Sequence, residues 1–489
     1  MDKNLKGLKP ALVWKHFAEM TQIPRPSGHE EQIRAYIINF AKEQGLEWRE
    51  DSAHNVYVAK PASEGMENRV GVVIQAHLDM VPQKNNDKVF DFENDPIEAY
   101  IDGEWVTADG TTLGADNGIG AAAILAVLED KTLVHGPIEG LFTATEETGM
   151  DGAFGLEGGM LKGDILLNLD SETEGELYVG CAGGLDATTT FTYEAEAAPA
   201  CNCVALKLTA KGMKGGHSGI QIGYQRANAN IVLFRFLDMM QQAGHQLRIA
   251  SVDGGGLRNA IPREAEAVVL CCKEQQEAVV AALKSYEQMI IKEYEDIEDN
   301  IQIFAEEVAM PAEVMPATLS ENLVKAIIAC PDGVQKMSIA MEGLVQTSTN
   351  LARVVSDGKT VKVQCLLRSS VRSEKEFLGA RMAAVFAMAG GKTELSGSYD
   401  GWNPNMKSPI LAAMTTSYEQ LYGKRPAVTA IHAGLECGII GSKYPNLDMI
   451  SFGPTICYPH SPDEKVEIAS VEKFYDFLLR TLENIPVKA

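Results

Sequence analysis

At 489 residues the chain is too long for one ordinary core, so two or three domains are expected. Its 67 acidic residues outnumber 43 basic ones, for a net charge of −24; this argues against nucleic acid or an anionic membrane as partner, because phosphate binding needs clustered Lys and Arg. No stretch approaches the roughly 18 apolar residues that span a bilayer, and no apolar core of signal-peptide length follows Met1-Asp2-Lys3-Asn4-Leu5-Lys6.

In chain order, 10–21 and 28–45 read as amphipathic helices joined by Ile23-Pro24-Arg25-Pro26-Ser27-Gly28, with Ser27 or a neighbour capping the second. Strands are expected at 56–59 and 70–76, the latter nearly all apolar, as in a sheet covered on both faces. After it comes His77-Leu78-Asp79, then a long polar loop over 83–112. Gly114-Ala115-Asp116-Asn117-Gly118 opens an Ala-rich helix at 119–130. The run Ile138 to Gly149 begins as a buried strand and ends in adjacent carboxylates, Glu146 and Glu147. A Gly-rich turn at 149–163 leads to strand 165–169 and Asp170. Alternating strands and helices of this kind give an α/β fold with a mostly parallel sheet flanked by helices.

The texture changes after Gly183-Gly184. From 185 to 397 the pattern is α+β, in roughly two similar halves with no residue-level repeat. Strands are expected at 188–193, 204–209, 246–252 and 263–272, with helices at 226–243 and 274–294 between and after them. A strand at 301–305, a helix near 320–329, strands at 345–355 and 359–368 and a helix at 374–389 complete the segment. The first domain then resumes through helix 409–421, a Gly-rich loop at 433–441, strand 447–452, a loop holding His460 and a final helix at 468–484. The expected division is therefore 1–184 and 398–489 as one catalytic domain, with 185–397 inserted. The nine cysteines lack zinc-site spacing, and Cys201/Cys203 and Cys271/Cys272 read as strand residues. Free thiols used as small hydrophobes fit a reducing cytoplasm.

Five candidate metal ligands stand out: His77, Asp116, Glu147 with Glu146 beside it, Asp170 and His460. Four come after apolar strands and the fifth precedes a helix, so a parallel sheet would gather them along its carboxyl edge. Singly, each has an ordinary reading as a surface histidine, a helix cap or an acidic turn; jointly, chance rarely sets so many ligand types at successive strand ends. Two charged glutamates at the end of a buried strand are costly without a cation or donors nearby. Two imidazoles and three carboxylates suit zinc, with cobalt or manganese as alternatives, better than magnesium or copper. Two ions sharing five ligands require one bridging carboxylate. Asp79, two residues after His77, shares its side of an extended chain and is placed to accept the second imidazole N–H. Spacing does not distinguish whether Glu146 or Glu147 is the ligand.

These motifs, with Thr145-Glu146-Glu147-Thr148-Gly149, Asn168-Leu169-Asp170 and His460-Ser461-Pro462-Asp463-Glu464, resemble in order those of the dizinc aminoacylase–carnosinase metallopeptidases, nearest their Xaa-His dipeptidase branch. The resemblance implies that Asp116 bridges two metals, that His77 and Asp170 complete one site and Glu147 and His460 the other. It implies Glu146 as general base and Asp79 as the residue orienting His77. The inserted segment resembles the family's lid. His217 in Lys211-Gly212-Met213-Lys214-Gly215-Gly216-His217-Ser218-Gly219 is similar to the histidine that bonds the substrate carbonyl, Asn259 in Gly254-Gly255-Gly256-Leu257-Arg258-Asn259 to a substrate-binding asparagine, and Arg368 to the arginine that clamps the free carboxylate. The implied activity is metal-dependent dipeptide hydrolysis with C-terminal histidine preferred, in the cytoplasm. A broader dipeptidase or tripeptidase, or an N-acyl-amino-acid amidohydrolase, is the alternative. The expected partner is a small peptide, with neither nucleic acid nor membrane, and the chain a monomer or homodimer. Small-lidded relatives lend the histidine across a dimer; here the second half of the lid is expected to replace the partner's.

Overall fold

The structure is a computed structural model that describes residues 5–199 and 202–488. The chain divides into two compact units: Met1–Cys181 with Trp402–Ala430 and Leu435–Ala489, and Ala182–Gly401 with Ile431–Gly434.

The first unit is built on an eight-stranded sheet. Its order is Glu47–Glu50, Val56–Lys60, Ile138–Thr143, Val72–His77, Ile165–Asn168, Asp448–Ser451, Glu176–Cys181 and Ala427–Ile431. The four central strands run parallel, and antiparallel strands flank them. Every residue of Val72–His77, Ile138–Thr143 and Ile165–Asn168 is buried, as helices on both faces of a parallel sheet demand. Helix Ala115–Glu129 is apolar on all sides and buried along nearly its whole length. Strand register positions the candidate ligands. His77 lies opposite Thr143 and Gln75 opposite Asn168, so three strands end side by side and deliver His77, Glu146–Glu147 and Asp170 to one edge.

Several expectations are corrected. The supposed loop 83–112 contains a hairpin, Ala99–Asp102 and Trp105–Ala108, joined by Lys465–Glu467 and Ile456–Cys457 into a four-stranded sheet. Its Asp102-Gly103 turn, flanked by Tyr, Ile, Trp and Val, is an ordinary hairpin signal masked by the polar residues around it. The Gly-rich stretch 433–441 holds a helix, Glu436–Lys443. Ser27 caps nothing: the N-cap of helix Glu31–Gln44 is Glu30, without a side-chain cap bond, and Ser27 bonds Asp79 instead.

In the second unit, one long antiparallel sheet runs Gln302–Val308, Cys203–Lys211, Ala265–Cys272, Arg248–Gly255, Val345–Ser356, Thr360–Ser369, Gly183–Thr192 and Lys392–Tyr399, with Gly333–Met337 paired to Val345–Ser356. The two halves fuse where Asp253, Gly254 and Gly255 pair with Val355, Val354 and Arg353. One apolar core spans both halves, from Leu206 and Phe234 to Val363 and Phe386. Cys203 and both Cys271 and Cys272 are strand residues, whereas Cys201 lies outside the described residues. Among the described residues no helix is long and apolar enough to cross a membrane.

Candidate metal centre

The sheet edge of the first unit brings His77, Asp79, Asp116, Glu146, Glu147, Asp170 and His460 together. Asp116 is the pivot. Its Oδ1 lies 3.2 Å from His77 Nε2 and its Oδ2 lies 3.2 Å from His460 Nε2. His77 Nε2 is also 3.3 Å from Asp170 Oδ1, and His460 Nε2 is 3.0 Å from Glu147 Oε2. Two sets result, His77–Asp116–Asp170 and Asp116–Glu147–His460, with the ligand atoms of each within 4.8 Å of one another. They share one carboxylate, which turns a different oxygen to each.

These distances fit a metal. Around a tetrahedral ion with bonds of about 2.1 Å, neighbouring ligand atoms stand about 3.4 Å apart; the four histidine–carboxylate distances run from 3.0 to 3.3 Å. Glu147 Oε1 is buried and has no hydrogen-bond partner, as expected of an oxygen reserved for a cation. The two glutamates also differ. Glu147 reaches His460, whereas the Glu146 carboxylate takes no hydrogen bond or ion pair among the described residues, yet belongs to a trio with His77 and Glu147 within 4.8 Å.

The backbone is bent to present these groups. Asp116 and Asn117 leave helical geometry at the start of their helix. Thr145 and His460 adopt φ of +52° and +60°, a left-handed conformation that costs a β-branched or ring-bearing residue roughly 1–3 kcal/mol. Glu30 holds Thr145 there, its Oε1 accepting both the N–H (3.1 Å) and the Oγ1–H (2.9 Å).

Asp79 sits under the centre. His77 Nδ1 lies 3.1 Å from its carbonyl oxygen and 3.3 Å from Oδ1. Its carboxylate further accepts the N–H groups of Glu146 (2.9 Å) and Glu147 (3.2 Å) and the Ser27 hydroxyl (2.7 Å). Burial alone would raise this carboxyl; the His77 ring and these donors outweigh it and hold it at about 2. Burial pushes Glu146 well above the usual carboxylate range, helped by the negative charges of Asp170, Glu436 and Glu147 and opposed by His77. Asp116 and Glu147 push His460 up to about 11.

Three residues that brace the centre were not singled out by the sequence reading. Glu464, which ends the motif begun by His460, accepts the N–H groups of Leu113 (2.7 Å), Gly114 (2.9 Å) and Asp116 (3.1 Å). Glu436 accepts from Gln75 Nε2 (2.6 Å) and Thr143 Oγ1 (2.8 Å), one layer below the ligands. A lone acid in the apolar run Leu-Glu-Cys-Gly-Ile-Ile was the available hint. Arg25 is the third, a buried cation from the turn between the first two helices.

His217, Asn259 and Arg368 lie in the second unit. His217 Nδ1 accepts the N–H groups of Gly219 (3.2 Å) and Ile220 (3.1 Å), which leaves the ring proton on Nε2. Arg368 is 5% exposed and reaches Tyr399 Oη at 3.4 Å; among the described residues it makes no ion pair and its Nε has no hydrogen-bond partner. A Cβ at Gly219 would collide with the His432 carbonyl oxygen and stand 3.0 Å from the His217 ring and 3.1 Å from Arg368 Nε, so only glycine fits among these groups. The Asn259 carbonyl accepts the Ser218 N–H, beside His217. His432 was not foreseen: it is buried, its Nε2 lies 2.7 Å from Ser348 Oγ, and Ser348 pairs across the sheet with Arg368.

A parallel-centred α/β sheet with two histidine–carboxylate sets at its carboxyl edge defines a metal-dependent hydrolase. The profile of peptidase family M20/M25/M40 matches residues 73–484, and the chain belongs to that family of metallopeptidases. It is 46% identical over 488 residues to the cytosol non-specific dipeptidase of Escherichia coli K12, covering 99% of both chains. The crystal structure of aminoacylhistidine dipeptidase from Vibrio alginolyticus superposes with a TM-score of 0.94 at 49% identity, again over 99% of each chain. A tripeptidase from Staphylococcus aureus shares the fold at 16% identity and a TM-score of 0.56. Membership implies use of a divalent metal, and the clustered ligands are suited to hold it.

Proposed function

We propose that the chain is a dipeptidase whose centre takes two divalent ions, zinc first, with cobalt or manganese as alternatives. His77 and Asp170 would hold one ion and Glu147 and His460 the other, with Asp116 shared between the two sets. The carrying observation is that Asp116 turns one oxygen to each histidine while a spare carboxylate, Glu146, stands beside both sets. Divalent ions held there would supply Lewis acidity to the attacking water and to the substrate carbonyl. Glu146 takes a proton from the attacking water and passes it to the leaving amine. Asp79 keeps the His77 ring in one orientation and fixes the turn that carries both glutamates.

Substrate recognition falls to His217, Asn259 and Arg368. His217 Nε2–H is a donor for the scissile carbonyl and its developing oxyanion. Arg368, a buried guanidinium that forms no ion pair among the described residues, matches the free carboxylate of a short peptide. Both side chains belong to one chain and stand side by side, which supports a monomer that needs no histidine from a partner. Seven described cysteines, Cys203 aside, are free thiols, and together with the name of the E. coli relative they support a cytoplasmic setting.

Histidine is the proposed C-terminal preference, in line with the name of the Vibrio relative; the name of the E. coli relative favours a broader range. A panel of Xaa-His, Xaa-Leu, Gly-Gly-Xaa and N-acetyl amino acids, assayed with and without chelator, tests the proposal. Fastest cleavage of Xaa-His, lost on chelation and restored by zinc, is expected. Turnover of N-acetyl amino acids alone would refute a dipeptidase.

A further inference from the structure

Residues 23–30 precede the stretch matched by the family profile, which begins at residue 73, yet they run directly behind the metal centre. Pro26 bridges to Met80, the Met80 N–H donates to the Arg25 carbonyl, Ser27 reaches Asp79 and Glu30 holds Thr145. At the middle of this strap stands Arg25, 2% exposed. Among the described residues its guanidinium bonds only main-chain oxygens: Nη1 donates to the carbonyls of Leu78 (2.8 Å) and Asp79 (3.2 Å), and Nη2 to that of Gly114 (2.5 Å).

A buried arginine with no carboxylate bonded to it is unusual, because desolvating a charge without a paired ion costs several kcal/mol. The acids that face it, Glu464, Asp79, Asp116 and Glu147, act through space. The chain is shaped to admit it: a Cβ at Gly118 would stand 2.6 Å from Nη2 and 3.0 Å from the Phe17 ring. What the guanidinium joins is informative. Leu78 and Asp79 come directly after His77, and Gly114 lies two residues before Asp116. Among the described residues no backbone hydrogen bond links segment 77–79 to segment 113–117. The arginine spans that gap.

We infer that Arg25 is a positioning residue of the metal centre: one flat guanidinium, bonded on both sides, fixes the His77 segment against the Asp116 segment and so sets how far His77 Nε2 lies from the shared carboxylate. The inference rests on the proposed reading of this centre as a metal site. It separates geometry from charge, because a lysine keeps the charge but its single ammonium cannot hold both segments in a planar fork.

The test is zinc binding by the full-length chain, measured by competition with a chromophoric chelator, with bound metal counted by elemental analysis and folding followed by thermal melting. Arg25→Met and Arg25→Lys are both expected to fold and to hold zinc about 10–100-fold more weakly than the wild type, the scale of losses when a group orienting metal ligands is removed. Wild-type zinc affinity in Arg25→Lys would overturn the positioning role, since charge alone would then suffice. Wild-type affinity in Arg25→Met would overturn any role at the centre. Should Arg25→Met not fold, Arg25→Lys decides alone. If the wild-type chain itself holds no zinc, the metal-centre reading fails first, and that result is distinct from either variant's.

Discussion

Glu464 accepts the backbone N–H of Asp116 at 3.1 Å across 348 residues of sequence, and its other oxygen takes the N–H groups of Leu113 and Gly114. One carboxylate from the last segment of the chain thus fixes the turn that presents the shared ligand. Glu464→Ala leaves three buried N–H groups without an acceptor, at roughly 1–3 kcal/mol each. The variant is expected to lose several kcal/mol in urea unfolding and to bind zinc more weakly. Glu464→Gln, which keeps an acceptor oxygen, should fall between it and the wild type.

Among the described residues the Glu146 carboxylate takes no hydrogen bond, so an amide there should leave the metal ligands undisturbed. In Glu146→Gln the bound metal, counted by elemental analysis, should match the wild type, while kcat on a dipeptide falls about 10²–10⁴-fold. Loss of metal in that variant would make Glu146 a ligand rather than a base.

Arg368 offers a planar, two-armed donor that lysine does not reproduce. Arg368→Lys is expected to raise KM for free dipeptides about 10–100-fold with a smaller change in kcat, the sign of lost substrate binding. Dipeptide amides, lacking the carboxylate, should be cleaved equally by both proteins. A variant that worsens amides as much as free acids would deny Arg368 that task.

His432 is buried, and burial, with the charge of Arg368 added, lowers its pKa to about 3. The folded chain therefore holds it neutral, whereas the unfolded chain protonates it below about 6.5. Since the unfolded state binds the extra proton, the stability this contributes is complete above pH 6.5 and is lost as pH falls toward 3, at about 1.4 kcal/mol per pH unit. Unfolding free energies between pH 7 and 4 should fall less steeply in His432→Gln than in the wild type. Parallel curves would show that another group controls the acid limb.

Much of this molecule is legible in its residues. The largely apolar runs ahead of His77, Glu146 and Asp170 specify strands buried on both faces, and such strands lie parallel with their carboxyl ends aligned, which gathers three of the candidate positions at one edge. Where the sequence misleads, the cause is local. The hairpin Ala99–Asp102 and Trp105–Ala108 hides among polar residues because one face of it is wet, and the glycines of 433–441 outvote the helix that Glu436 begins. Ser27 has the residue type of a cap and a better partner elsewhere.

The sequence by itself determined most of the elements, which strand ends carry chemistry and which residue types could hold a cation, because those depend on local periodicity and side-chain inventory. Only the tertiary structure decided that Asp116 divides its two oxygens between His77 and His460, that Glu147 and not Glu146 reaches His460, and that Arg25, Glu464 and Glu436 brace the centre from behind. Those facts depend on which atoms meet after distant segments pack. A buried charge bonded to main-chain groups leaves no periodic trace in the sequence around it.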